Sequence, residues 1–453
     1  MIRPIAVLAF AAVLAFSCSG NDPEPENTDS EFTSTVGIQD MIVPPEGDTF
    51  TVSITATGAW KCAVPQTWIK VSPAEGKAGS FEVEIKVEAN TATSGRMTTL
   101  TFRAGDDVRS MLISQDGKNP DAVTAKDFYL NSHYHDKMHF STGRLRTTSA
   151  VMQSFDISKD GNTIYYTQLN NNFRVYLSWA APNYKSTPAN FMTLNYTGHG
   201  SNFTIEEASD GVWIWMDNFS SKNSSGEYWD AQIISRFPVK AGTTINSFDA
   251  TENYYFGEKN ISVAVDIEGD MLTILGISSG RIRTYRLSEL KALPVEDITL
   301  APITYGGEQS APHSETTKTL TVKARDARKL TTLGDFSITR GKYSDGTTIS
   351  WQGFDVHGGM IYQAQGNGHA DGTPSPGWVQ MKTISGTTIV PLTTIKALED
   401  LNDLKEAGIT DTGYMEPEGV KWRNGLIYCG FASKNSSNVR MGTIFNYNPN
   451  LMK

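Results

Sequence analysis

Between residues 31 and 116 apolar and polar positions alternate with a period of two. Phe50 to Ala56, Phe81 to Ala89 and Met97 to Ala104 each place their apolar residues on one face, the signature of half-buried strands. Turn residues separate them: Pro44 to Gly47, Pro73 to Gly76 and Asn90 to Gly95. Short strands at this spacing predict a β-sandwich of immunoglobulin-like type, with Trp60 and Trp68 as core residues. After a polar linker, 117–125, the pattern changes to repeated hairpins over 126–453. Gln153-Ser-Phe-Asp156-Ile157 leads into Asp160 to Gln168, and Gln352-Gly-Phe-Asp355-Val356 leads into Gly358 to Gly366. A weaker copy runs from Pro417-Glu418-Gly419-Val420 into Arg423 to Phe431. Two further units lack the Gln-x-Phe-Asp phrase: Phe203 to Asn218 with Asp230 to Val239, and Ile261 to Ile277 with a strand over Arg281 to Glu289. One hairpin sheet cannot bury both its faces, so five such units predict blades stacked around an axis. The fold class expected is all-β, an immunoglobulin-like β-sandwich followed by a five-bladed β-propeller. Phe128 to Ser132 is expected to lend the strand that closes the ring. Ile395, Leu398, Leu401 and Leu404 recur at helical spacing, predicting a short helix between the last two blades.

The first 17 residues carry one basic residue, Arg3, and an apolar run from Ile5 to Phe16 that ends at Ala15-Phe16-Ser17-Cys18. The run is too short for a mature membrane span and reads as a signal peptide, 1–17, with Cys18 as the lipid acceptor. Residues 18–30 are acidic and polar and read as a flexible tether. The membrane is therefore expected as a partner through the Cys18 anchor alone. An acidic stretch after such a cysteine resembles the export signal of surface lipoproteins in Bacteroidetes-type bacteria, which implies the outer face of an outer membrane.

Charge narrows the partners. The chain has 39 Lys+Arg against 49 Asp+Glu, a formal net charge of −10, which disfavours nucleic acid. Cys62 and Cys429 lie far apart without metal-type spacing and read as buried small hydrophobes.

Two resemblances add to this reading. Trp60, Trp68-Ile69, Ser72-Pro73, Gly76, Asn90, Arg96 and Gln115 resemble a BACON domain, a family named for a suspected carbohydrate-binding role and placed N-terminal to glycan-active modules. Gln153-Ser-Phe-Asp156, Gly198-His199-Gly200, Val212-Trp213-Ile214-Trp215, Gln352-Gly-Phe-Asp355 and Glu416-Pro-Glu418-Gly419 resemble the helveticin-J family and the five-bladed propeller of phage receptor-binding and teichoic-acid-biosynthesis-C-like proteins. That resemblance implies a surface glycan or glycoconjugate as partner, with a bacteriocin-like interaction protein that recognises other cells as an alternative.

Candidate ligand-binding residues follow from chemistry. His199 and His369 sit beside glycines that let backbone approach a ligand. Trp229 and Trp378 are the exposed aromatic candidates for packing against a sugar ring, in preference to Trp213, Trp215 and Trp351. Gln153, Asp156, Gln352 and Asp355 recur by repeat, either tying blades together or lining the channel mouth. Glu416 and Glu418 are the only catalytic candidates, since paired carboxylates raise glycoside hydrolysis or lyase chemistry. His133, His135, His139 and Asp136 read as an interdomain loop in preference to a metal site. No cofactor is called for, with Ca²⁺ left open.

Overall fold

A computed structural model describes residues 30–39, 41–92, 96–115, 140–141 and 145–446, except 171–172, 183, 185, 223–225, 227, 306–315, 369–376, 395–413, 424–425 and 435–438. Cys18 with the signal and tether segments, Phe128 to Ser132, the histidine cluster at 133–139, His369 and the helix expected after Thr394 lie outside the described residues.

The N-terminal unit is a sandwich of two sheets. One is ordered Phe32–Val36, Asp48–Ala56, Gly79–Val87, Ile69–Ser72, and the other Met41–Val43, Asp107–Gln115, Arg96–Ala104, Trp60–Ala63, Glu75–Gly76. Val52, Ile54, Val83, Ile85, Leu100, Phe102, Met111 and Ile113 meet between them, with Trp60 buried among them and Trp68 partly buried at the edge. The polar residues of the motif close one end. Arg96 Nε donates to Gln115 Oε1 (2.8 Å), Arg96 Nη2 to Glu88 O (2.7 Å), and Gln115 Nε2 to Pro44 O (3.0 Å).

Five blades follow. Blade I is Ser154–Ile157, Ile164–Asn170, Arg174–Ala180 and Asn190–Asn195. Blade II is Phe203–Ala208, Gly211–Asn218, Ile233–Pro238 and Glu252–Tyr255. Blade III is Ile261–Asp266, Met271–Gly276, Arg281–Arg286 and Gly334–Ser337. Blade IV is Trp351–His357, Met360–Gly366, Gly377–Thr383 and Thr388–Thr394, and blade V is Met415–Arg423, Leu426–Lys434 and Arg440–Asn446. The first strand of each blade is innermost, and these five strands contact one another in a closed ring, I–II–III–IV–V–I.

Phe140–Ser141 supplies the outer strand of blade V, pairing with Ile444 and Thr443 and so joining the two ends of the propeller. One detail differs from the sequence expectation. Arg281 to Glu289 is not a single strand. The strand ends at Arg286 and a helix, Leu287–Ala292, begins, because Leu287 and Leu290 at helical spacing both reach the core. The chain then leaves blade III, and Val295–Thr299 and Thr321–Asp326 extend the outer edge of blade II before blade III is completed.

Neighbouring inner strands are not paired as a sheet, so side chains satisfy their facing backbone groups. Ile205 N–H donates to Asp156 Oδ2 (2.7 Å), linking I to II, and Val265 N–H to Thr204 Oγ1 (3.1 Å), linking II to III. Gly358 N–H donates to Asp266 Oδ2 (2.9 Å), linking III to IV, and Trp422 N–H to Asp355 Oδ2 (2.9 Å), linking IV to V. Arg423 of blade V spans Asp355 Oδ2 (2.8 Å) and Asp156 Oδ2 (2.6 Å), which closes the circle. Lys421, fully buried, donates to Phe203 O (2.6 Å) across the axis, and burial lowers its ammonium below the usual lysine range.

The second sandwich sheet rests on the propeller where the inner strands end. Ser114 Oγ donates to Gly358 O, and Leu112 packs with Val356, Ile361 and Met271. Arg423→Ala is expected to leave two buried carboxylates without their cation and to destabilise the propeller by about 3–5 kcal/mol. Urea unfolding monitored by tryptophan fluorescence checks this.

Candidate functional site

The inner strands define two mouths. At the lower one, where the strands end, space is small and the polar belt fills it: Asp266, His357, Trp422 and Arg423 line a cavity of about 90 Å³. At the upper one, where the strands begin, a cavity of about 510 Å³ opens, within the range of small-ligand sites. All five blades contribute: Gln153 from blade I, His199 and Trp229 from blade II, Ser262 from III, Trp351 and Gln352 from IV, Glu416 and Glu418 from V.

The blade II loops build an aromatic shelf. The His199 imidazole stacks on the Trp229 indole, ring centroids 3.7 Å apart and 15° from parallel. Gly198 is required because a Cβ there would lie 1.6 Å from the Asp217 carboxylate, and Gly200 because its φ is +76°. Asp217 Oδ2 accepts the His199 backbone N–H (3.2 Å), while Asp217 Oδ1 and His199 Nδ1 are buried with no hydrogen-bond partner. Burial drives the two in opposite directions, each toward its neutral form. The Asp217 carboxyl is pushed up from 3.8 to about 7, and the His199 imidazole down from 6.5 to about 3.

The opposite wall is amide and carboxyl. Gln352 Nε2 donates to Gly366 O (2.8 Å) and Glu416 Oε1 (3.4 Å), and the Tyr414 hydroxyl donates to Glu416 Oε2 (3.0 Å). The strand bulges between Pro417 and Gly419, so Glu418 has no partner in the ladder, and Gly419 takes a φ of +140°. Burial, and then the neighbouring Glu416, raise the Glu418 carboxyl well above the ordinary carboxylate range. Trp351 is fixed by its indole N–H, which donates to Ile277 O (3.1 Å).

Of the residues nominated from sequence, the structure gathers Gln153, His199, Trp229, Gln352, Glu416 and Glu418 on this cavity. It does not bring Asp156 and Asp355 there. Both are fully buried and occupied by Arg423 and by the backbone of the next blade. Trp378 is also elsewhere, half-buried edge-on against Tyr343 at 5.3 Å. Trp351, ranked lower from sequence, does line the cavity, while Trp215 is core, its Nε1 donating to Glu206 (2.7 Å). Sequence reading missed Ser262, Tyr414 and the exposed rim residue Arg340. It also missed Lys421 and Arg423, although two cations alternating within an apolar strand of the third hairpin copy signal a buried charge cluster. Cys62 and Cys429 are both buried free thiols, one in each domain.

The arrangement suits a polyol: an aromatic face on one side, with amides and carboxyls on the other. Among the described residues no group of three His, Cys, Asp or Glu is placed to hold a metal ion.

Comparison with known proteins follows the same division. Residues 33–118 match the viral BACON domain family, and residues 151–256, which hold blades I and II, match the phage five-bladed β-propeller receptor-binding platform family. Among solved structures, the tail fiber of Staphylococcus aureus phage P68 is 15% identical with a TM-score of 0.46, over 71% of this chain and 54% of that one. A Bacteroides ovatus GH5 xyloglucanase in complex with a XXXG heptasaccharide is 21% identical with a TM-score of 0.18, over 29% of each chain. This chain therefore spans about half the length of the tail fiber. No curated protein matches it.

Asp217 holds its proton more tightly in the folded protein than in the unfolded one. Its stabilising contribution is complete below its ordinary value of 3.8 and is lost as pH rises to about 7. Asp217→Asn keeps an acceptor for the His199 N–H, so the variant is expected to gain on the wild type across that window, by on the order of 3 kcal/mol at pH 8. Denaturant midpoints at pH 4 and pH 8 check it; His199 titrates in both proteins and cancels.

Proposed function

We propose that this chain is a cell-surface recognition protein whose propeller binds a glycan or glycoconjugate at the upper mouth, with the BACON sandwich as spacer. One observation carries the reading: loops from all five blades converge on one cavity that combines a stacked His199–Trp229 shelf with Gln153, whose side-chain amide has no hydrogen-bond partner among the described residues. Pyranoses present an apolar C–H face and a rim of hydroxyls, which is the complement of such a lining. The match of blades I and II to a receptor-binding platform supports recognition of a surface partner. The sandwich touches the lower end, so the upper mouth lies at the other end of the propeller from it. In this proposal Cys18 carries the N-terminal tether on the outer membrane and the cavity faces outward.

A second reading, hydrolysis or lyase chemistry, is favoured by one feature. Glu416 and Glu418 share the cavity wall, one held by Tyr414 and Gln352 and the other pushed toward its protonated form, an asymmetry that acid and base roles require. Reducing ends released from a bound polysaccharide and abolished by Glu416→Gln would select it; binding without turnover selects recognition.

On a glycan array followed by affinity electrophoresis, the protein is expected to retain at least one bacterial, host or dietary polysaccharide. Trp229→Ala is expected to weaken that binding by roughly tenfold or more while leaving the unfolding transition in place. Failure to bind any polysaccharide would remove this function. For the anchor, Cys18→Ser is expected to abolish incorporation of labelled palmitate in the producing cell and to release the protein from the membrane fraction.

A further inference from the structure

We infer that the acidic wall of the upper cavity receives an ammonium group, so that the glycan read there carries an unacylated amino sugar. This rests on the glycan reading above and names the class of sugar.

The inference starts from a carboxyl that no described residue holds. Glu418 is 5% exposed, lines the cavity, and accepts no hydrogen bond from any described residue. A buried carboxyl without a donor is costly, and native structures supply a partner from protein, water or ligand. Glu416, two residues along the same bulged strand, is held toward the same space by Tyr414 and Gln352. The cavity thus shows two adjacent carboxyl groups to whatever enters it.

Among the described residues no cation forms an ion pair with Glu416 or Glu418. Lys421 and Arg423, on the same strand, are committed to Phe203 O, Asp156 and Asp355 in the ring. Lys259 lies against Asp230 on another side (3.8 Å), and Arg340 stands exposed at the rim. His199 is kept neutral by burial. Among the described residues no third His, Cys, Asp or Glu joins the pair. A primary ammonium has three N–H donors and one positive charge, enough to bridge Glu416 and Glu418 while its sugar ring lies on Trp229.

Burial and the charge of Glu416 both oppose ionisation of Glu418 and raise its carboxyl well above the ordinary carboxylate range. The other titratable or charged groups facing it are Tyr414, His199, Asp230 and Arg340. When an ammonium enters, Glu418 ionises and its proton passes to solvent, while the ammonium keeps all three of its own. Binding of an amino sugar is therefore expected to release a proton from Glu418. A neutral sugar, which accepts a hydrogen bond from protonated Glu418, releases none.

Isothermal titration of the full-length protein at pH 7, in two buffers of different protonation enthalpy, tests this with a glucosamine oligomer, its fully N-acetylated counterpart, and CaCl₂ alone. The glucosamine oligomer is expected to bind roughly tenfold tighter than the acetylated one, with proton release. Glu418→Gln, equal in size, is expected to remove both the preference and the proton release without lowering the thermal unfolding transition. Equal or tighter binding of the acetylated oligomer, tighter binding of CaCl₂, an unbound glucosamine oligomer, or a silent Glu418→Gln would each overturn the inference. If an acetylated or neutral glycan binds and Trp229→Ala abolishes that binding, the glycan reading stands and only the ammonium fails. If no glycan binds at all, both fail.

Discussion

Closing five sheets around an axis leaves the inner edge of every blade without a ladder partner. Those N–H groups are buried, so each must find an acceptor on the neighbouring blade. The chain answers with one repeated device, a short polar side chain on an inner strand that accepts from the next strand's backbone: Asp156, Thr204, Asp266 and Asp355. The fifth junction is different. Blade V has no such residue for blade I, and Arg423 reaches back to Asp156 instead. A guanidinium bridging two buried carboxylates is held in its charged form by them, so the ring is closed by a desolvated ion network while its walls are held by apolar packing between blades.

The same inner strands carry the site, and the two duties are divided along their length. In Gln153-Ser-Phe-Asp156 and Gln352-Gly-Phe-Asp355 the Gln stands at the upper mouth, the Phe is buried between blades, and the Asp sits in the ring. Because closure is accomplished below, the upper residues are free to vary in chemistry without costing the fold its axis. Two buried groups without a hydrogen-bond partner, His199 Nδ1 and Asp217 Oδ1, stand beside that mouth. The sandwich, resting on the lower end, leaves that mouth uncovered.

How much of this was legible in the sequence follows from which interactions are local. Period-two alternation is local, so the sandwich strands and all five hairpin units were readable, as was the Trp60 core. Partners distant in the chain were not. Phe140–Ser141 pairs with residues some three hundred positions away, and nothing in its own pattern points to them. The repeat revealed Gln153, Asp156, Gln352 and Asp355 as a set, yet repeat symmetry alone does not say which end of the strand meets ligand. The register, with two residues between Gln and Asp, sets the two side chains at different levels of the axis, the Gln at the upper cavity and the Asp in the ring. Arg281 to Glu289 misled because strand and helix share the apolar residues Leu287 and Leu290, and tertiary contact settled the choice. Glu416 and Glu418 were visible as a pair, but the bulge that re-aims Glu418 depends on pairing with Phe431 and Gly430.

The central claim is that recognition occurs at the upper mouth of the propeller. Photo-crosslinking with a diazirine-bearing form of whichever glycan the protein retains, followed by peptide mapping, tests it most directly. The account predicts adducts on 199–201, 229–230, 350–354 and 414–418, which are remote in sequence and adjacent in space. Adducts confined to the sandwich, 30–115, or to the outer faces of the blades would contradict it.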